Sequence, residues 1–306
     1  MKVSFVLPAY KAKFLPQAIE SILRQDYTNF ELIVVDDASP ENLLEIVNSY
    51  NDPRIKYYRN QQNIGRESLV KQWNHSIRHA EGDYLVLAAD DDTYSPNYLS
   101  TMIQLANKFP EVDVFRGRVR EIDEHDNILE LDGLIPEYCT STEFLYHWKR
   151  ATILICIGNY MFRTKVIQEK GFVDFPSAFC TDITSIYNIS TNGVCSTMEF
   201  VFNFRRSNIH LSGSNTQLEK KLEANNQFYQ WLFDLKFPSP TSRDEAFMIK
   251  SFTRREIYIK CRYDFYNQVY KWLPLTKLGL IKRFRFLSLK DRMMMIVRYF
   301  FDRIFK

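Results

Sequence analysis

The chain has 306 residues, of which 45% are hydrophobic and 25% charged, and a net charge of +3. That size allows one large domain with an extension or two domains, and the composition excludes disordered and fibrous classes. Five scattered cysteines without CxxC spacing exclude a zinc site and a disulfide framework and suit a reducing compartment, and there is no apolar run long enough to span a bilayer.

A strand pattern begins directly after Lys2, so no signal peptide is expected. Val3 to Leu7 form a strand ending at Pro8, and Leu15, Ala18, Ile19, Ile22 and Leu23 recur at helical spacing. A second apolar strand over 31–35 is closed by Asp36 and Asp37. Leu43, Ile46, Val47 and Tyr50 then mark a helix, and residues 54–58 an edge strand. Leu69, Val70, Trp73 and Ile77 mark a third helix. The apolar run 83–88 is a buried strand that delivers Asp90, Asp91 and Asp92 to its end. Ser95 as N-cap and Pro96 as first helical residue predict a helix immediately beyond.

Repeated βα units with near-continuous apolar strands imply an α/β fold with a mostly parallel central sheet and helices on both faces. Ligands in such sheets collect at strand carboxyl ends. Pro8, Ala9 and Tyr10, the pair Asp36 and Asp37, and the acidic triplet all lie there and are expected to share one crevice. Further on, strands are expected over 112–120 and 194–204, with a short helix around Val166 and Ile167. Past Gly213 the pattern turns helical, with a linker over 236–242. The expected division is a catalytic domain over 1–213 and a helical region over 214–306.

Three adjacent carboxylates repel one another and lose hydration unless a cation sits among them. Hard oxygen ligands at a strand end suit Mg²⁺ or Mn²⁺ carrying substrate phosphates. A solvated acidic turn is the competing reading. A helix N-terminus would favour such charge by only about 0.3–1 kcal/mol, too little to explain three consecutive acids.

The segments VSFVLPAY (3–10), ELIVVDDAS (31–39), Asn63-Ile64-Gly65, GDYLVLAADDDTYSP (82–96), GNYMF (158–162), Gly171-Phe172, Thr181-Asp182 and Arg205-Arg206 with Ser212 together resemble the family 2 glycosyltransferases of GT-A fold. The resemblance spans roughly residues 1–215. A Rossmann dehydrogenase is disfavoured because the first strand–helix turn lacks GxGxxG. The resemblance implies a nucleotide-diphosphate sugar donor, with Pro8, Ala9 and Tyr10 near the nucleoside and the Tyr10 ring against the base. It also implies that Asp37 accepts from a base N–H, helix capping ahead of 42–50 being the alternative for the Asp36–Asp37 pair. Asp90 would face the ribose, Asp91 would ligate Mg²⁺ or Mn²⁺ directly, and Asp92 would be a second ligand or support. Asn63 opens the next loop. The arginine of an ARN-like stretch is missing from 70–74, which leaves Arg66 or Lys71 for the diphosphate.

Asp182 is the implied general base, with Thr181 standing where relatives have glutamate and Asp174 as the second choice. N-capping of a helix over 183–189 by Thr181 or Asp182 is the competing role. Ser207 replaces a family histidine, and His210 is a further candidate for phosphate or metal.

The expected activity is that of an inverting, metal-dependent glycosyltransferase acting on a glycan or lipid-linked acceptor in surface polysaccharide synthesis. A non-catalytic nucleotide-sugar-binding subunit and a sugar nucleotidyltransferase are the rivals. The basic, aromatic-rich end suits either a membrane surface or a protein partner such as a second copy. Nucleic acid is disfavoured for want of any binding motif. The expected location is cytoplasmic, with peripheral attachment to the inner face of the membrane as an option.

Overall fold

The computed structural model describes residues 1–207 and 217–304. The chain divides into two compact units, residues 1–174 with 181–208, and residues 175–180 with 209–306.

The first unit opens with β1 (Val3–Ala9), α1 (Leu15–Leu23), β2 (Phe30–Asp36), α2 (Leu43–Asn48), β3 (Ile55–Arg59), α3 (Leu69–Ser76) and β4 (Tyr84–Leu87). It continues through β5 (Thr93–Tyr94), α4 (Tyr98–Lys108), β6 (Val114–Ile122), β7 (Ile128–Leu131), β8 (Tyr138–Cys139) and α5 (Ser141–Lys149). Last come β9 (Tyr160–Arg163), α6 (Thr164–Lys170), α7 (Thr181–Ile189) and β10 (Val194–Arg205). The strands form one sheet in the order β3-β2-β1-β4-β9-β6-β10-β5, with β7 on β6 and β8 on β10. The longest ladders, β1–β2 and β6–β10, are parallel, as are β2–β3 and β1–β4. β9 runs antiparallel between β4 and β6 and joins the two parallel blocks.

Every residue of β2 and β4 is buried, as full cover on both faces requires. Phe5, Leu7, Leu32, Val34 and Val86 belong to a core shared with Leu15, Ile19 and Ile22 of α1 and Tyr98, Leu99 and Met102 of α4. β3 is the edge strand expected from sequence.

The helix predicted at Ser95 and Pro96 starts later, at Tyr98 behind the N-cap Asn97. Ser95 is drawn into the sheet instead. Its N–H donates to the Val201 carbonyl at 2.9 Å, because residues 93–94 pair with β10 as a short strand. α2 is capped by Asn42, whose side chain accepts from Glu45 N–H, so neither Asp36 nor Asp37 acts as its cap.

The second unit holds α8 (Leu218–Asp234), α9 (Arg243–Lys250), α10 (Arg254–Asp264) and α11 (Leu289–Ile304). The predicted linker over 236–242 separates α8 from α9, and Ser242 caps α9 through the Glu245 N–H. None of the described helices is long and apolar enough to cross a membrane.

Candidate active site

The parallel register Ala9–Asp36 and Val6–Leu87 sets the carboxyl ends of β2, β1 and β4 side by side. The polar clusters expected to share a crevice do meet there. One Asp90 oxygen, Oδ2, accepts the backbone N–H groups of Tyr10 and Lys11, each at 2.9 Å. This ties the β4 end to the β1 end. The Tyr10 carbonyl accepts from the Ser39 hydroxyl at 2.7 Å, while the Tyr10 side chain is 41% exposed at the rim. Ala9 is buried in the ladder and Pro8 lies within β1.

Asp37 organises the neighbouring loop. Its Oδ1 accepts from the Asn60 side chain at 2.7 Å and from Ile64 N–H at 2.9 Å, and its Oδ2 accepts from Gly65 N–H at 2.7 Å. Asn63 Oδ1 accepts the Arg66 N–H at 2.7 Å and completes the turn. Arg66 itself is exposed. The Lys71 ammonium is engaged by Glu67 one turn earlier on the same face. Of the two cations considered for a diphosphate, Arg66 is the one without an ion pair among the described residues.

In the acidic triplet the three carboxylates have different surroundings. Asp92 is buried, and its Oδ1 accepts the Arg205 backbone N–H at 2.8 Å. Arg205, the last residue of β10, is buried as well. Its guanidinium donates to the Asp91 carbonyl at 2.9 Å, to Gln17 at 3.0 Å and to the Asp123 carbonyl at 3.1 Å, and pairs with Asp126 at 2.9 Å. This arginine therefore holds the triplet's backbone in place from beneath. Asp91 is different. No hydrogen bond or ion pair from another described residue reaches its carboxylate, which accepts only its own backbone N–H. Burial and then the Asp90 charge push its pKa up to about 6, against the pull of Lys11 and Arg205.

Gly158, in the 3₁₀ turn before β9, backs onto the triplet. A Cβ there would lie 2.9 Å from Phe202 Cζ and 3.3 Å from Asp92 Oδ2, and the Gly158 carbonyl accepts the Tyr94 hydroxyl at 2.9 Å. Gly158→Ala is expected to lose about 1–3 kcal/mol by overpacking. Chemical denaturation would register the loss, and an unchanged midpoint would show that Phe202 yields freely.

Asp182 lies in the first turn of α7. Neither it nor Thr181 caps the helix, contrary to the competing role considered from sequence. Both fall inside the helix, and the Thr181 hydroxyl donates to the Val173 carbonyl at 3.0 Å. The Asp182 carboxylate is part-buried, accepts its own backbone N–H, and has no hydrogen bond or ion pair from another described residue. Burial pushes its pKa up to about 7. Asp92 and Asp182 both act electrostatically on the buried Cys156 thiol, and burial chiefly, then these charges, raise its pKa well above the usual range. The triplet and Asp182 thus belong to one neighbourhood. Asp174, the second choice of base, is exposed and accepts the Ser68 hydroxyl at 2.6 Å. His210 and Ser212 lie outside the described residues. Arg206 pairs with Glu121 and is held at the carboxyl end of β6.

Lys11 was not singled out from sequence, although its charge acts on both Asp90 and Asp91. Its position one residue beyond Tyr10 in the first strand–helix turn was the available signal. Among the described residues no three His, Cys, Asp or Glu side chains converge on one metal position. A Mg²⁺ or Mn²⁺ ion completed by phosphate oxygens and water needs only one or two carboxylates. Asp91, a carboxylate bonded by no other described residue and lying beside two others, fits that demand.

Comparison with known proteins bears on the family and the fold. The family described as "Glycosyl transferase family 2" matches residues 4–171. WcaA of Escherichia coli (strain K12), named for colanic acid biosynthesis, is 40% identical over 104 residues, 33% of this chain and 36% of WcaA. The glycosyltransferase GlyG of Streptococcus pneumoniae is 34% identical over 127 residues, 40% of this chain and 41% of GlyG. The chain thus spans well under half the length of these curated relatives. Among solved structures, S. aureus TarS 1-349 in complex with UDP-GlcNAc superposes with a TM-score of 0.69 at 17% identity, covering 95% of this chain and 83% of TarS 1-349. The mannosyltransferase PcManGT of Pyrobaculum calidifontis, in complex with GDP-Man and Mn²⁺, gives a TM-score of 0.57 at 16% identity, covering 96% of this chain and 78% of that one. At these identities the likeness establishes the fold.

Proposed function

Because the chain belongs to glycosyl transferase family 2, we propose that it moves a sugar from a nucleotide-diphosphate donor to a hydroxyl of a glycan or lipid-linked acceptor, with inversion. The observation that carries this reading is a contrast among the acids of the crevice. Asp36, Asp37, Asp90 and Asp92 are all committed to hydrogen bonds. Asp91 and Asp182 have none from any other described residue, and burial raises the pKa of both. Part-buried carboxylates left without a partner residue lower stability, so their persistence marks chemistry more than packing.

In this reading the ends of β1 and β2 receive the nucleoside, with Pro8 and Ala9 as wall, the exposed Tyr10 ring against the base, and the Asp37-organised loop of Asn63 beside it. Arg66 meets the diphosphate, and the free oxygen of Asp90 faces the ribose. Asp91 would hold a divalent cation, Mg²⁺ or Mn²⁺, with Asp92 and Arg205 fixing its backbone; when bound, such a cation would supply charge neutralisation for the departing diphosphate. Asp182 takes the acceptor hydroxyl's proton as that oxygen bonds to the anomeric carbon. The carbon–oxygen bond to the diphosphate breaks in the same displacement, which inverts the configuration and needs no enzyme nucleophile. The name of WcaA supports a surface polysaccharide as the product. TarS with UDP-GlcNAc and PcManGT with GDP-Man and Mn²⁺ support the donor class and the metal. Residues 1–213 would carry this chemistry, and residues 214–306 a separate attachment role.

A thermal-shift titration of nucleoside diphosphates with and without Mn²⁺ tests the reading. One nucleotide is expected to raise Tm in a Mn²⁺-dependent way, with about 2.7 kcal/mol of stabilisation at a hundredfold excess over Kd. Asp91→Asn is expected to remove the metal-dependent part. A shift indifferent to both Mn²⁺ and Asp91 would remove the metal from the mechanism, and no shift with any nucleotide would remove the donor.

A further inference from the structure

The charge of this chain is sharply divided. Residues 209–306 hold 19 of the 40 Lys and Arg but 9 of the 37 Asp and Glu, so this third carries +10 and the remainder −7. Residues 271–306 alone hold ten Lys or Arg against two Asp.

Within the same unit, α11 has two unlike faces. Its inner face is anchored residue by residue. Asp291 accepts from the Tyr258 hydroxyl and pairs with Arg262 at 2.9 Å, Tyr299 donates to the Leu273 carbonyl at 2.5 Å, and Asp302 accepts from the Tyr266 hydroxyl at 2.6 Å. Met295 and Tyr299 are buried there. The outer face carries Leu289, Met293, Val297, Phe300 and Ile304 at helical spacing, widened by Phe301. Their exposure runs from 40% at Phe300 to 75% at Leu289. A solvent face of a soluble helix ordinarily carries charge, and here the interior of the stripe carries none. Arg298 flanks one side of the stripe and Arg303 the other. Their other partners are mainly neutral, the Tyr266 ring for Arg298, and the Tyr299 ring and Leu273 carbonyl for Arg303. Arg298 lies 3.8 Å from Asp302. Lys290 sits at the stripe's edge and Trp272, exposed, in the segment that α11 anchors.

We infer that the outer face of α11 is a docking surface for an anionic lipid bilayer, with the helix lying in the interface. The apolar stripe enters the acyl boundary while Lys290, Arg298 and Arg303 meet headgroup phosphates, the arrangement of interfacial amphipathic helices. The association inferred is through a helix lying in the interface, and none of the described helices is long and apolar enough to cross a membrane. Charge decides against a second copy as the occupant. An isologous dimer through this face would set two +10 regions against each other, whereas an anionic surface neutralises them.

Flotation of the full chain with vesicles of phosphatidylglycerol and phosphatidylcholine, against phosphatidylcholine alone, tests this. Binding to the anionic vesicles is expected to be at least about tenfold stronger and to weaken in about 0.5 M salt. Val297→Glu and Phe301→Glu are each expected to lose binding by about tenfold with Tm unchanged. Phe247→Glu, an exposed apolar residue on α9, is expected to bind as wild type. Should either α11 variant be unstable, Leu289→Glu at the exposed start of the helix replaces it. Equal binding to neutral vesicles, or wild-type binding by the α11 variants, overturns the inference. So does light scattering that shows a dimer which Val297→Glu dissociates, since the face would then belong to a second copy. None of these readouts depends on sugar transfer.

Discussion

Asp182→Asn is expected to lower the transfer rate by about 10²–10⁴-fold, the usual range for removing a general base, while donor affinity stays within about twofold. The pH profile provides the sharper test. Burial raises the Asp182 pKa to about 7, and the base acts in its ionised form. The wild-type rate should therefore climb about tenfold per unit below pH 7 and level off above it, and the variant should lack that limb. Stability moves in a linked way. Between the unfolded carboxyl pKa and about 7, the folded chain retains a proton that the unfolded chain has released. Wild-type stability thus falls as pH rises through that window. The asparagine variant is free of this loss and should gain on the order of 1–3 kcal/mol at pH 8 but little at pH 4. Paired denaturation curves at the two pH values check the sign. Transfer within about fivefold of wild type would remove Asp182 from the reaction.

Asp132→Asn is expected to produce the largest loss of stability, about 3–5 kcal/mol, which is much of what a domain of this kind has to lose. Asp132 and Arg116 form an ion pair with both side chains fully buried. The Asp132 carboxylate also accepts from Leu154 N–H at 2.8 Å and Val119 N–H at 3.1 Å, so it fastens the segment leading to the 3₁₀ turn at 157–159 onto β6. Losing the carboxylate leaves the Arg116 guanidinium uncompensated in the interior. Arg116→Met combined with Asp132→Leu removes both charges and should recover much of the loss. Urea denaturation of the two variants and the wild type makes the comparison. A single-variant loss below about 1 kcal/mol would mean that water or the Leu154 carbonyl, which already accepts from Arg116 at 3.0 Å, satisfies the cation.

Much of the catalytic scaffold was legible from local pattern. The runs that became β1, β2 and β4 are apolar at nearly every position because both faces of a parallel sheet are covered, and this does not depend on distant residues. The helices α1 and α3 follow from apolar spacing, and the placement of Pro8, Asp37 and Asp90 at one sheet edge follows from strand direction. β9 was hidden, since four residues between a tight turn and a helix carry too little periodicity. The start of α4 was misread because Ser95 and Pro96 make a sound capping signal locally. Pairing with β10, more than a hundred residues later, took the Ser95 N–H instead.

Sequence by itself determined the α/β class, the order of the units and the crevice's store of carboxylates, because strand burial and strand polarity are encoded within each segment. Only the tertiary structure decided what each acid does. Asp37 and Asp92 become hydrogen-bonded supports and Asp91 and Asp182 remain open, since the donors that fix the first two, Gly65 and Arg205, reach them across loop closures that no local pattern records. The outer face of α11 was settled in the same way. Its apolar and basic residues are plain in the sequence, but which of them face outward depends on where Tyr258, Arg262 and Leu273 anchor the helix.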